Sequence, residues 1–245
     1  MKKVLIALSI SAAALLASGH GAAWSYKGET GPAHWGKLDK NFFMCEKGQN
    51  QTPINIVGDY SVNLEKFTLN YGKKATKWFN NGHTVEVAFA PGNTLKIDGK
   101  TFELKQFHFH TPSENHINGV SYPMEAHFVH LSKDGKIAVL TVMFVEGKKN
   151  PYMQKLINKM PKKKGDSYDI RGLNLKPEGM LPTNLDKYYR FNGSLTTPPC
   201  SEGVRWMVLK QPVEMSRAQF ATFEKVLDHN NRPLNPLNAR KVLEK

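Results

Sequence analysis

Lys105-Gln-Phe-His-Phe-His110 is the stretch on which the reading of this chain turns. Successive side chains of a strand point to opposite faces. Gln106, His108 and His110 therefore share one face, and Phe107 and Phe109 pack on the other. The hexapeptide ends a longer run: Thr94 to Ile97, then Asp98-Gly99, then Lys100 to His110. Asp-Gly between strand-like runs is a strong hairpin signal, since both residues of the tight turn need positive φ. A second hairpin is expected from Ala126 to Lys133, through Asp134-Gly135, to Lys136 and on to Val145. A third turns at Asn81-Gly82, between Trp78-Phe79 and the alternating Thr84-Val-Glu-Val87. The fold class expected is mostly β, in one domain.

Two short helices are predicted. Asn150-Pro151 supplies a cap and first turn, Met153, Leu156, Ile157 and Met160 share a face, and Pro161 ends the run. Ser216 with Gln219 forms a capping box ahead of the stripe Phe220, Phe223, Val226 and Leu227. The segment from Lys162 to Asp186 reads as a long surface connection.

The start of the chain reads differently. Lys2 and Lys3 precede an apolar run from Val4 to Leu16, followed by small residues up to Ala23. That order is the pattern of a secretory signal peptide, too short to span a bilayer. We expect residues 1–19 to be removed, with cleavage after Ala23 the alternative, leaving a domain over 24–245. Export to the periplasm or the medium follows, with no stable membrane insertion after cleavage. The net charge of +13 comes from scattered lysines without interleaved aromatics, which argues for a solvated surface and against a nucleic-acid partner. Cys45 and Cys200 are the only cysteines. An even count in an exported chain suggests one disulfide; two buried free thiols are the other reading.

Glu125-Ala-His127 lies on the strand of the second hairpin and puts Glu125 and His127 on one face. His108, His110 and His127 together make a candidate Zn2+ site, because neutral imidazole is a good zinc ligand. Three protein ligands without a thiolate leave the fourth tetrahedral position for water, as in catalytic zinc. Metal-bound histidines donate their second N–H to a carboxylate or amide, and Gln106 and Glu125 stand where they serve His108 and His127. His130, on the face opposite His127, reads as structural.

These segments, with Asn192-Gly-Ser-Leu-Thr-Thr-Pro-Pro199, Gly31-Pro-Ala-His-Trp35, Gln51-Thr-Pro-Ile-Asn-Ile56, Asn80-Asn-Gly-His83 and Asn231-Arg-Pro233, resemble the active-site segments of α-class carbonic anhydrases. Cys200 paired with Cys45 resembles the exported bacterial branch. The resemblance implies a large twisted, predominantly antiparallel sheet with short peripheral helices. It implies reversible hydration of carbon dioxide to bicarbonate by zinc-bound hydroxide, with ester hydrolysis as a side activity. His108, His110 and His127 match the zinc ligands, and Gln106, Glu125 and the carbonyl of Asn230 match their supports. Thr196 with Glu114 matches the pair that orients the nucleophile, and His83 the proton shuttle. Tyr26 and Asn81 match residues that organise water, and Val129, Val139, Leu195, Thr197, Val204 and Trp206 the substrate pocket. Many members carry Glu-His where this chain has Glu114-Asn115; the difference is expected to tune activity. A homodimer is implied by exported bacterial members. The rival reading is a catalytically silent zinc-binding protein of the same fold, which would typically have lost a ligand.

Overall fold

A computed structural model describes residues 22–245; the predicted signal peptide lies outside them. The main sheet runs, in spatial order, Ser167–Asp169, Ala75–Asn80, Val85–Phe89, Lys100–His110, Met124–Ser132, Ile137–Glu146, Glu202–Leu209, Tyr188–Ser194, Leu243–Glu244 and Tyr60–Ser61. Most neighbours are antiparallel, as expected, but Ile137–Glu146 pairs parallel with Glu202–Leu209. The sheet is therefore mixed at the point where the chain returns from the far edge.

The histidine strands occupy its centre. Met124–Ser132 lies between Lys100–His110 and Ile137–Glu146, with His127 directly opposite His108 and Glu125 opposite His110. Alternation splits the apolar residues into two cores. Phe107, Phe109, Phe128 and Leu140 belong to the core under the helices Pro151–Ile157 and Arg217–Leu227, with Met153, Leu156, Phe220 and Phe223. Val129, Val139, Val204 and Trp206 belong to a smaller core on the histidine face. A β-bulge between Val129 and His130 bends the central strand just past the histidines. His130 is fully buried beyond it and hydrogen-bonds the Tyr71 hydroxyl at 2.5 Å, a structural role.

Local signals in the sequence act through specific atoms. Asp98 and Gly99 both take positive φ, so the first hairpin has its two-residue turn. The second differs from expectation. Only Gly135 has positive φ, and the Ser132 N–H bonds the Lys136 carbonyl, which makes a three-residue loop. The Asn150 side chain accepts from the amides of Tyr152 and Met153, capping its helix. Ser216 N–H donates to Gln219 Oε1, closing the other cap. The stretch 162–186 is more ordered than predicted: Ser167–Asp169 adds an edge strand to Ala75–Asn80, and two 3-10 turns follow. Its alternation is too short to register as a strand in sequence.

Cys45 and Cys200 form a disulfide, with Cα atoms 5.0 Å apart, closing a separation of 155 residues. A loop of that length constrains the unfolded chain by about 5 kcal/mol in the chain-entropy picture. No helix among the described residues is long and apolar enough to cross a membrane.

Candidate active site

In each histidine ring one nitrogen is turned to a polar group of the protein and the other is left over. His108 Nδ1 is 2.8 Å from Gln106 Oε1, two residues back on the same strand face. His110 Nδ1 is 2.7 Å from the Asn230 carbonyl, delivered by a loop far along the chain. His127 Nε2 is 2.9 Å from Glu125 Oε1, close but short of hydrogen-bond alignment. The nitrogens left over are Nε2 of His108 and His110 and Nδ1 of His127, and one ring nitrogen from each of the three lies within 4.8 Å of the others. Burial pushes the imidazoles of His108 and His127 well below the ordinary histidine range, and the neighbouring rings push the same way. His110 is lowered by burial, partly offset by its bond to Asn230. All three are held neutral, the state that can bind a cation.

The carboxylates beside them are fully enclosed. Glu125 accepts from the amides of Glu114 and Asn115 at 2.7 and 2.8 Å and from Asn115 Nδ2 at 2.7 Å. Asn115 Oδ1 in turn accepts from the Ile54 amide at 3.1 Å. Asparagine in place of the more frequent histidine is therefore fully used, as a clamp on Glu125. Glu114 Oε1 accepts from the Arg232 amide at 2.9 Å. Its Oε2 has no hydrogen-bond partner and lies 3.4 Å from His110 Nε2 and 4.0 Å from His127 Nδ1. Burial drives the Glu114 carboxyl well above the usual range, opposed by the Thr196 side chain and the Arg232 amide. Glu125 is raised by burial and held down by Asn115. A divalent cation at the three free nitrogens would reverse this logic and favour the charged forms.

Free His110 Nε2 and Glu114 Oε2 are buried polar atoms without partners. Such atoms are costly to leave unmade. Three neutral imidazoles and no thiolate suit zinc, with a position left for water. The residues fit the metal.

The family model for eukaryotic-type carbonic anhydrase matches residues 30–245. The chain belongs to that family. It is 44% identical over 242 residues to the carbonic anhydrase of Pectobacterium carotovorum, covering 98% of both chains. It is 43% identical to that of Neisseria gonorrhoeae, covering 98% of this chain and 95% of the relative. A solved structure of the α-carbonic anhydrase from Thermovibrio ammonificans with the inhibitor sulfanilamide superimposes with a TM-score of 0.88 at 50% identity, covering 91% of this chain and 99% of the other. The chain is an enzyme of this family.

The structure places the other residues expected at the site in distinct ways. Val129 and Val139 are direct register partners, and Val139 is in turn opposite Trp206. With Val204 and partly buried Leu195 they form one apolar wall. The Trp206 ring stands edge-on to His127 at 4.9 Å between centroids. Thr196 is buried, in the loop between Tyr188–Ser194 and Glu202–Leu209. The disulfide pins that loop at Cys200, whose amide bonds the Thr197 carbonyl and whose carbonyl accepts from Gln51.

His83 lies on the turn after Asn81. The Asn81 oxygen accepts from the amides of His83 and Thr84, both at 2.9 Å. Its carbonyl oxygen is thus spent on the turn, and only its amide group is left for water. The His83 ring stacks on Trp24, centroids 3.7 Å apart and planes within 7°. Burial lowers its pKa, and Lys164 lowers it further. Tyr26, boxed by Trp24 and Trp35, has a buried hydroxyl without a partner.

Three residues escaped the sequence reading. Glu86 is opposite His108 in register and nearly buried, and burial pushes its carboxyl up to about 7. Alternation from His108 onto the neighbouring strand was the signal available. Arg232 ties Gln51 Oε1, the Thr52 carbonyl and the Cys45 carbonyl together. Trp24 is the ring beneath His83. Neither of the last two has a local signature.

Proposed function

We propose that this chain catalyses the reversible hydration of carbon dioxide to bicarbonate with Zn2+ held by His108 Nε2, His110 Nε2 and His127 Nδ1. The observation that carries the reading is the division of labour in the rings: one nitrogen of His108 and of His110 is hydrogen-bonded by the protein, one of His127 faces Glu125, and one ligand atom from each ring converges with the others. When bound, zinc supplies a nucleophile at neutral pH by lowering the pKa of its water from about 15.7 to about 7, an established property of carbonic anhydrase zinc and not an outcome of this geometry.

The protein's own residues then orient, exclude and carry. Gln106, Asn230 and Glu125 fix tautomer and ring direction. Glu114 as carboxylate accepts from the Thr196 hydroxyl. Thr196 can then only accept a hydrogen bond from the reacting oxygen, which turns a lone pair toward the substrate. Val129, Val139, Leu195, Val204 and Trp206 give carbon dioxide a dry wall without a charge to bind it, and Thr197 lines the polar side. His83 takes the released proton outward, helped by water ordered at Tyr26 and Asn81, because imidazole titrates near neutrality. The retained ligands weigh against a catalytically silent protein.

The enzyme is exported, with residues 1–19 removed and the domain beginning at about residue 24; the disulfide supports an oxidising compartment such as the periplasm. It works as a homodimer, with slow hydrolysis of activated esters as a side reaction. The deciding measurement is stopped-flow carbon dioxide hydration before and after chelation. Activity lost on stripping and regained with one equivalent of zinc is expected; a zinc-loaded protein without activity would refute the proposal.

A further inference from the structure

On the sheet face opposite the histidines lies a cluster of cations with too few anions. Arg205 alternates with Val204 and Trp206 along Glu202–Leu209, so its side chain points away from the active site. Arg190 is on the adjacent strand, Tyr188–Ser194. Both reach the same carboxylate: Asp98 Oδ2 is 3.0 Å from Arg190 Nη2 and 3.2 Å from Arg205 Nη2. One negative charge thus faces two positive ones. Arg190 Nε and Arg205 Nε and Nη1 are shielded from solvent and have no acceptor. The side chains themselves are only 15% and 24% exposed.

Beside Arg205 is a pocket of about 150 Å³, lined by Phe102, Lys100, Lys136, Asn192 and Gly203. The Phe102 ring underlies the Arg205 guanidinium at 5.7 Å. Lys100 is paired with Asp134 at 2.8 Å, whereas Lys136 has no ion-pair partner among the described residues. Four cations thus face two carboxylates. Gly203 has positive φ, and a side chain there would meet open space, so the floor stays clear. Buried guanidinium donors without partners call for an acceptor. The space is well below that of a drug-sized ligand site.

We propose that this pocket binds one small oxyanion of the phosphate, sulfate or bicarbonate type. Arg205 and Lys136 provide the charge and Asn192 an amide donor, after a small rotation of the guanidinium toward the pocket. Arginine suits such ligands because its planar fork matches two oxygens. Asp98 competes with the anion for the same guanidinium, so its removal tightens binding. The site is independent of the zinc reading.

The test is equilibrium dialysis of radiolabelled inorganic phosphate against zinc-loaded enzyme, with sulfanilamide present to occupy the metal site. Sulfate and bicarbonate as competitors distinguish the anion sources. One phosphate per chain is expected. Lys136→Ala, on an exposed hairpin where folding is not at risk, should weaken it by about tenfold, and Arg205→Gln by more. Asp98→Asn should strengthen it several-fold, an effect that mere loss of structure would not produce. Absence of saturable binding at millimolar phosphate, binding abolished by sulfanilamide, or equal affinity in Lys136→Ala and Asp98→Asn would each overturn the proposal.

Discussion

The three clustered histidines and His83 are the same residue type, held in opposite ways. The three candidate ligand rings sit on two central strands, His110 and His127 buried and His108 partly so; His108 and His110 are each hydrogen-bonded at the second nitrogen, and His127 faces Glu125. His83 sits on a turn, fixed through its backbone by Asn81 and Asn230, while its ring is held only by stacking on Trp24. A ring tied by a hydrogen bond keeps one direction. A stacked ring can slide or swing away at the cost of dispersion contacts. The contrast teaches that the fold spends rigidity where a geometry must not change and withholds it where a proton must travel.

Breaking the rigid side should have the largest effect. His110→Ala removes one of three ligands, and both metal content and carbon dioxide hydration should fall to background, read by atomic absorption and stopped-flow together. Next comes the mobile side. His83→Ala should slow turnover about a hundredfold in dilute buffer and recover in concentrated imidazole; equal rates in both buffers would remove His83 from proton transfer. A brace should matter less than a ligand. Gln106→Ala should weaken zinc affinity by roughly 10- to 100-fold, measured by competition with a chelator, with turnover of the loaded enzyme less affected. The smallest effect tests the electrostatics of the turn. Lys164 opposes the charged form of His83, so Lys164→Ala should raise the His83 pKa toward its ordinary value. An NMR titration should show the imidazole holding its proton to a higher pH, with proton release slowed at low pH by a few-fold at most.

The parts legible in sequence were those with local causes. Asp98-Gly99, Asn150-Pro151 and Ser216 with Gln219 each act within a few residues, and each turn or cap formed. Alternation placed Gln106 and Glu125 beside their histidines because strand geometry carries that information along the chain. The support for His110 needed the family resemblance, since Asn230 is 120 residues away. Arg232 reaches Gln51 across 181 residues, and no pattern in either stretch announces the bond. Glu86 was hidden for a different reason: Thr84-Val-Glu-Val87 reads as an ordinary half-exposed strand, and only the pairing with Lys100–His110 buries it. The second hairpin shows the limit of dipeptide rules. Asp134-Gly135 marked the turn correctly, but the loop length was set by the register of the flanking strands.

The braces also have an order along the chain. All three histidines of the candidate metal site have appeared in the chain by residue 127. The carbonyl that steadies His110 belongs to residue 230, and the amide that holds Glu114 to residue 232. Gln106 and Glu125 stand close in sequence to the rings they face, whereas His110 depends on a segment 120 residues away. A chain without residues 230–232 would therefore keep its three imidazoles and lose both the carbonyl that aims one of them and the amide that holds the neighbouring carboxylate.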